Sequence, residues 1–174
     1  MTASKNQLQN LITLKRMKKT IIALLVISFA LCAGDVRAQK SGGSDYTTAA
    51  GIKFYPFSAS IKHFIKDDVA LEGLGYFWTR GLRITGLYEI HKDLNIIDGL
   101  RWYFGGGAHI GFYSSSYGGG TGVGIDGVIG LDYKFEKAPV NLSVDWQPSF
   151  EFGSNDNNGF AGNWGGIGIR YVLK

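Results

Sequence analysis

The sequence predicts an all-β chain, an eight-stranded antiparallel up-and-down transmembrane β-barrel with its apolar face turned outward. Three observations predict it. Between Val140 and Phe152 the even positions read Val140, Leu142, Val144, Trp146, Pro148, Phe150 and Phe152, and the odd ones Asn141, Ser143, Asp145, Gln147, Ser149 and Glu151. A period of two with one apolar and one polar side is a strand. Similar segments recur eight times between turn signals, and the charges of nearly all of them fall on one face.

Residues 1–38 read as an export signal. Lys18-Lys19 precede an apolar run from Ile21 to Cys32, and Val36-Arg37-Ala38 forms a small-x-small cleavage site before Gln39. The run falls short of the ~20 residues of a spanning helix. Met17 is an alternative start. A permanent anchor and a lipidated Cys32 are the rival readings; Leu31 stands before Cys32 where a small residue is wanted. Removing this segment takes six basic residues and Asp35, so the net charge of +4 becomes about −1, with 12 basic against 13 acidic residues. The basic balance belongs to the signal and implies no nucleic-acid partner. Cys32, the one cysteine, leaves with it, so neither a disulfide framework nor thiol chemistry is expected.

Residues 39–45 form a flexible leader and 46–174 the barrel. The strands are expected at 46–55, 57–65, 69–79, 82–91, 100–113, 122–135, 140–152 and 164–173. Pro56, 66–68, Arg80-Gly81, 92–99, 114–121, 136–139 and 153–163 connect them. Strand four sets Leu82, Ile84, Tyr88 and Ile90 against Arg83, Thr85, Glu89 and His91. Strand five sets Leu100, Trp102, Phe104, Ala108, Ile110 and Phe112 against Arg101, Tyr103, His109 and Tyr113. Strand six sets Val123, Ile125, Ile129, Leu131, Tyr133 and Phe135 against Asp126, Asp132 and Lys134. Strand eight sets Ile167, Ile169, Tyr171 and Leu173 against Arg170. Strands two and three are less clean, because Phe64, Leu74 and Tyr76 fall on the polar side. Pro148 removes a ladder donor and is expected near the outer rim or at a bulge.

The polar face collects Lys53, Lys62, Arg83, Arg101, Lys134 and Arg170 with Glu72, Glu89, Asp126, Asp132, Asp145 and Glu151. Six charges of each sign suggest mutual pairing inside. The other face is nearly free of charge, as lipid demands, since a basic residue there costs about 2–4 kcal/mol at mid-bilayer. Tyr46, Phe54, Trp102, Phe112, Tyr133, Phe135 and Tyr171 are expected as an aromatic girdle toward the strand ends. A soluble, lipocalin-like barrel, apolar inside, is the architectural rival. With a periplasmic N-terminus, loops 114–121 and 153–163 lie outside the cell, placed to meet an extracellular partner.

Eight strands leave a bore that side chains fill. A ring of cross-strand ion pairs is expected to plug it: Glu89, Arg101, Asp132, Lys134, Asp145 and Arg170 in the periplasmic half, with Lys62 and Glu72 as a further pair. Gly122-x-Gly124-x-x-Gly127 has the letters of a dinucleotide fingerprint but no following helix, so strand packing explains it better. His63, His91 and His109 lack metal-ligand spacing. No catalytic residue, metal or cofactor is expected, and the chain reads as a non-enzyme. The enzymatic rival, an acyl-transfer or hydrolytic site on outer-membrane lipid, needs a nucleophile beside a histidine, and His109 is distant in sequence from Ser114–Ser116.

Four phrases carry a resemblance: Gly86-Leu87-Tyr88-Glu89-Ile90-His91, the run Trp102 to Gly111, the run Gly124 to Phe135, and Leu142 to Pro148. With them the chain from 46 to 174 resembles the small eight-stranded OmpX/OmpA-type outer-membrane proteins, in particular short uncharacterised ones of Gram-negative bacteria. The resemblance implies outer-membrane localisation and assembly by the barrel-insertion machinery. It brings no catalytic residue. Such chains usually finish on an aromatic residue, and Tyr171-Val172-Leu173-Lys174 departs from that. The expected role is structural, stabilising the envelope as a monomer among outer-membrane lipids, or surface-interactive through its loops. A narrow channel for small solutes is the first alternative.

Overall fold

The alternation becomes ten ladder segments: β1 (Thr48–Phe54), β2 (Ser58–Lys66), β3 (Val69–Trp78), β4 (Gly81–Asp93), β5 (Leu100–Tyr113), β6 (Gly120–Lys134), β7 (Val140–Trp146), β8 (Ser149–Gly153), β9 (Gly159–Ala161) and β10 (Gly165–Leu173). They come from a computed structural model that describes residues 46–79, 81–114, 119–153 and 158–173. These belong to the unit Ala38–Lys174. The predicted export signal at 1–38, the alternative start at Met17 and the leader at 39–45 lie outside the described residues. So do Arg80, 115–118, 154–157 and Lys174.

Every ladder is antiparallel, consecutive strands pair with one another, and the ring closes where β1 pairs with β10. β7 with β8 is one strand, and β9 with β10 another, so the closed barrel has eight strands in up-and-down order. Closure leaves no long open edge to hydrogen-bond elsewhere.

Pro148 sits differently from expectation. Ile129 pairs with Trp146 and Asp126 with Ser149 in one unbroken register, and Gly127 N–H donates to the Pro148 carbonyl at 2.8 Å. The proline therefore marks neither the rim nor a slip in its own strand. The irregularity is opposite it. Gln147 N–H bonds Trp164 O at 3.0 Å while Ser149 pairs with Ala161, so the facing strand spends one more residue over the same stretch. That is a β-bulge at 162–164; the missing Pro148 donor lies on the other side of the strand, facing Gly127, since the Pro148 carbonyl already accepts from Gly127 there. The expected loop 153–163 is correspondingly shorter, since Gly159–Ala161 pairs with β8 as β9. Likewise Gly120 and Thr121 belong to β6, and β4 runs on to Asp93.

The two faces separate in the direction the sequence suggested. Inside lie Lys53, Lys62, Glu72, Arg83, Glu89, Arg101, Asp126, Asp132, Asp145, Glu151 and Arg170, all buried. Outside, Ile125 is 60% exposed, Ile167 56%, Phe152 51% and Trp146 50%. The barrel thus has a charged core and an apolar exterior, the reverse of a water-soluble barrel. Phe64, Leu74 and Tyr76, which break the alternation in the sequence, are buried inside and give the bore its few apolar contacts.

The aromatic residues sort with one correction. Phe54, Phe112, Phe135 and Tyr171 are exposed on the outer face, with Trp102 and Tyr133 partly covered there. Trp102 stacks on Phe104 and Tyr133 meets Phe135 edge-on. Tyr46 is not part of a girdle. It precedes β1, so strand parity does not govern it, and it turns inward against Phe64, its hydroxyl 3.4 Å from Asp132.

Trp146 answers a problem the bulge creates. Its indole N–H donates to the carbonyl of Gly162 at 2.8 Å, an acceptor within the bulge that interrupts the ladder. Trp146→Phe keeps the bulk and removes the donor. It should lower the stability of the detergent-folded barrel by roughly 1–3 kcal/mol, the cost of a stranded acceptor, read as the shift in urea midpoint.

Candidate functional site: the charged interior

The cluster nearer the barrel end that carries the turns at 67–68 and 135–139, here the inner end, is centred on Lys62. Its ammonium lies 2.8 Å from Glu89 Oε2, 3.3 Å from Glu72 Oε2 and 3.6 Å from Asp132 Oδ1, and 4.1 Å above the Tyr103 ring. Arg170 reaches across the bore to pair with Glu72. It also donates to Ser60 Oγ at 2.6 Å, Ser143 Oγ at 2.8 Å and Asn141 Oδ1 at 3.2 Å. Asn141 in turn donates to Asp132 at 2.7 Å. Beside this group Asp145 accepts from Lys53 at 2.8 Å and from the Tyr103 hydroxyl at 2.6 Å. His91 stacks on Tyr103 at 4.8 Å and lies 3.0 Å from Glu89. Buried charges persist only when neutralised, and here Lys62 is held by the opposite charges around it while Arg170 is also hydrogen-bonded.

The outer cluster links five strands. Arg83 pairs with Asp126, and its guanidinium lies 4.0 Å above the Trp164 ring. Asp126 also accepts from Gln147 at 3.0 Å and lies 2.8 Å from His109 Nδ1. His109 Nε2 is 3.4 Å from Glu151, to which the Tyr113 hydroxyl donates. Two of the three glycines of the false dinucleotide fingerprint have their explanation here. A Cβ on Gly122 would collide with the Glu151 carboxylate, and one on Gly124 with the His109 ring. They are clearance for inward side chains.

A greasy layer separates the clusters. Leu74, Leu87 and Val128 pack with Tyr76 and Tyr103, and Trp78 and Trp164 lean against them. Strand order puts each aliphatic residue between the two charged groups. On β3 Leu74 follows Glu72; on β4 Leu87 lies between Arg83 and Glu89; on β6 Val128 lies between Asp126 and Asp132. At the same depth of the bore, Lys53 and Asp145 form a fully buried pair.

The structure brings some expected partners together and parts others. Lys62, Glu72, Glu89, Asp132 and Arg170 meet in one group. Asp145 meets Lys53 instead. Arg101 leaves the ring: it sits at the inner rim, bonded to the Asp67 carbonyl at 3.2 Å and to Asp93 at 2.9 Å. Lys134 also leaves it and folds over its own turn, donating to the carbonyls of Phe135 and Ala138. Both residues stand at strand ends, where the backbone of a turn is the nearest acceptor. The outer cluster was not anticipated as a network. Its signal was the parity that put Arg83, His109 and Asp126 on the polar face, but strand stagger decides who meets whom. His63 faces outward, 2.8 Å from Thr48 Oγ1, and His109 lies in the bore between two carboxylates. Among the described residues no group of His, Cys, Asp and Glu is arranged to hold a metal ion.

Compared with known proteins, the chain finds no matching family model, no matching curated protein and no matching solved structure. Function therefore has to be read from the side chains themselves.

Proposed function

We propose that the chain is an integral outer-membrane barrel protein whose bore is closed, serving the envelope structurally or presenting its outer loops to a partner. The observation that carries this reading is the inverted partition. Eleven charged side chains are buried inside, while the outer wall exposes isoleucine, valine and aromatic side chains strand after strand. Water gives no reason for that arrangement; hydrocarbon does. Trp146 capping the bulge carbonyl fits the same solvent, since an unpaired backbone group in lipid is costly. The likeness to OmpX/OmpA-type proteins, a Gram-negative source, export through residues 1–38 and insertion by the barrel-assembly machinery belong to this proposal. So do a monomeric state and contacts with outer-membrane lipids.

Closure follows from the interior. Two ion-paired clusters and the Leu74–Leu87–Val128 layer between them fill the cross-section of a barrel that is narrow at eight strands. Purified protein in planar bilayers should give no single-channel steps. Steady, uniform steps from the parent would instead favour the narrow solute channel. No catalytic, metal or cofactor role is proposed: His109 is held between Asp126 and Glu151 within the bore, away from the lipid boundary where an acyl-transfer nucleophile would work.

A further inference from the structure

The outer wall is not uniform. Between β5, β6 and β7 it has a groove of about 430 Å³ whose outward lining is Trp102, Ile129, Leu131, Val144 and Trp146. Register explains its form. Leu131 pairs with both Trp102 and Val144, and Ile129 with both Phe104 and Trp146. The two indoles therefore stand on the strands flanking β6 at diagonal corners, two strand spacings of ~4.8 Å and two residues of ~3.4 Å rise apart, or about 12 Å, with three aliphatic side chains between them.

Both walls are held. Trp146 is fixed by its bond to Gly162 O, and Trp102 is stacked on Phe104 with centroids 5.2 Å apart. Next along the wall the outward row is Gly106 beside Gly127. A Cβ on Gly127 would meet only Pro148, at 3.5 Å or more. The slot is thus continued by a shallow track along β6.

The lining chemistry selects the occupant. The one charged residue at the groove, Asp145, turns its carboxylate into the bore toward Lys53 and Tyr103. The Trp146 N–H is already bonded. Nothing polar is offered to a peptide, a sugar or a charged headgroup, so the lining suits an apolar segment. We propose that this groove holds one acyl chain of a bilayer phospholipid. The proposal rests on the reading of the outer wall as lipid-facing, with which the groove is continuous, and adds that one position on it binds a lipid rather than merely being wetted.

Native mass spectrometry of the detergent-folded protein, equilibrated with dipalmitoyl phosphatidylethanolamine, tests it. The parent is expected to retain one lipid after the micelle is stripped. Val144→Phe fills the floor and should lower the retained fraction about tenfold or more. Ile84→Phe, a similar enlargement on β4 outside the groove, should leave it unchanged. If Val144→Phe does not give the compact unboiled form, Leu131→Phe fills the same floor. A parent that retains no lipid, or equal retention by parent and groove variant, overturns the proposal while leaving a detergent-dependent barrel intact. A chain that is folded and soluble without detergent removes the membrane reading itself, a separately visible result.

Discussion

Arg170→Ala should destabilise the folded barrel by about 3–5 kcal/mol, the usual cost of removing one member of a buried ion pair. The side chain is 1% exposed, and its guanidinium spans the bore from β10 to Glu72 on β3, Ser60 on β2, and Ser143 and Asn141 on β7. Its loss removes one of the two cations, with Lys62, that neutralise the Glu72, Glu89 and Asp132 carboxylates. The change is read as the urea midpoint in detergent, and as a lower temperature at which the unboiled compact band disappears from gels. Adding Glu72→Gln should recover part of the loss, because the stranded carboxylate is then neutral. Heat resistance equal to that of the parent would mean that the interior pairs have no structural role.

The second large effect separates lipid from water on the outside. Ile167 lies on the β9–β10 strand between the exposed Phe160 at one end and Tyr171 at the other, and is 56% exposed. In a bilayer Ile167→Arg should cost about 2–4 kcal/mol, seen as reduced folding yield into phospholipid vesicles and a lower urea midpoint there. A water-facing position would tolerate the same change within about 0.5 kcal/mol. The size of the effect thus distinguishes the two solvents without reference to any partner.

Much of the fold was legible because both of its rules are local. Side-chain alternation gives the face of each strand, and glycine, proline and charge clusters give the turns. The eight strands and the inward direction of eleven charges follow from those two signals. Where the reading departs from the structure, distance across the barrel decides. Arg101 and Lys134 have the correct parity, yet they lie at strand ends and find turn groups before carboxylates. Asp145 was grouped with Arg170, but the β7–β10 register sets it opposite Gly166, two residues from the Lys53 level and four from Arg170, and it meets that ammonium. Tyr46 precedes its strand, so no parity applied to it.

The bulge at 162–164 was hidden for a different reason. Gly162 and Asn163 read as loop and Trp164 as the start of the last strand, and only the pairing of Trp164 with Gln147, beside that of Ala161 with Ser149, reveals an extra residue within a continuing strand. The apolar layer was half visible. Leu74 and Tyr76 stood out as residues on the wrong face; that Leu87 and Val128 join them requires the β3–β4 and β5–β6 registers. Stagger, set by hydrogen-bond pairing around a closed ring, is the quantity that the linear pattern lacks.

The most direct test is size-exclusion chromatography with circular dichroism of the chain from Gln39 onward, in buffer with and without detergent. An apolar wall around a charged core predicts a folded, monodisperse β-protein only when detergent or lipid is present, and aggregation on its removal. A monodisperse, folded species in plain buffer would contradict it, because greasy side chains that line every strand outside could not then be facing water.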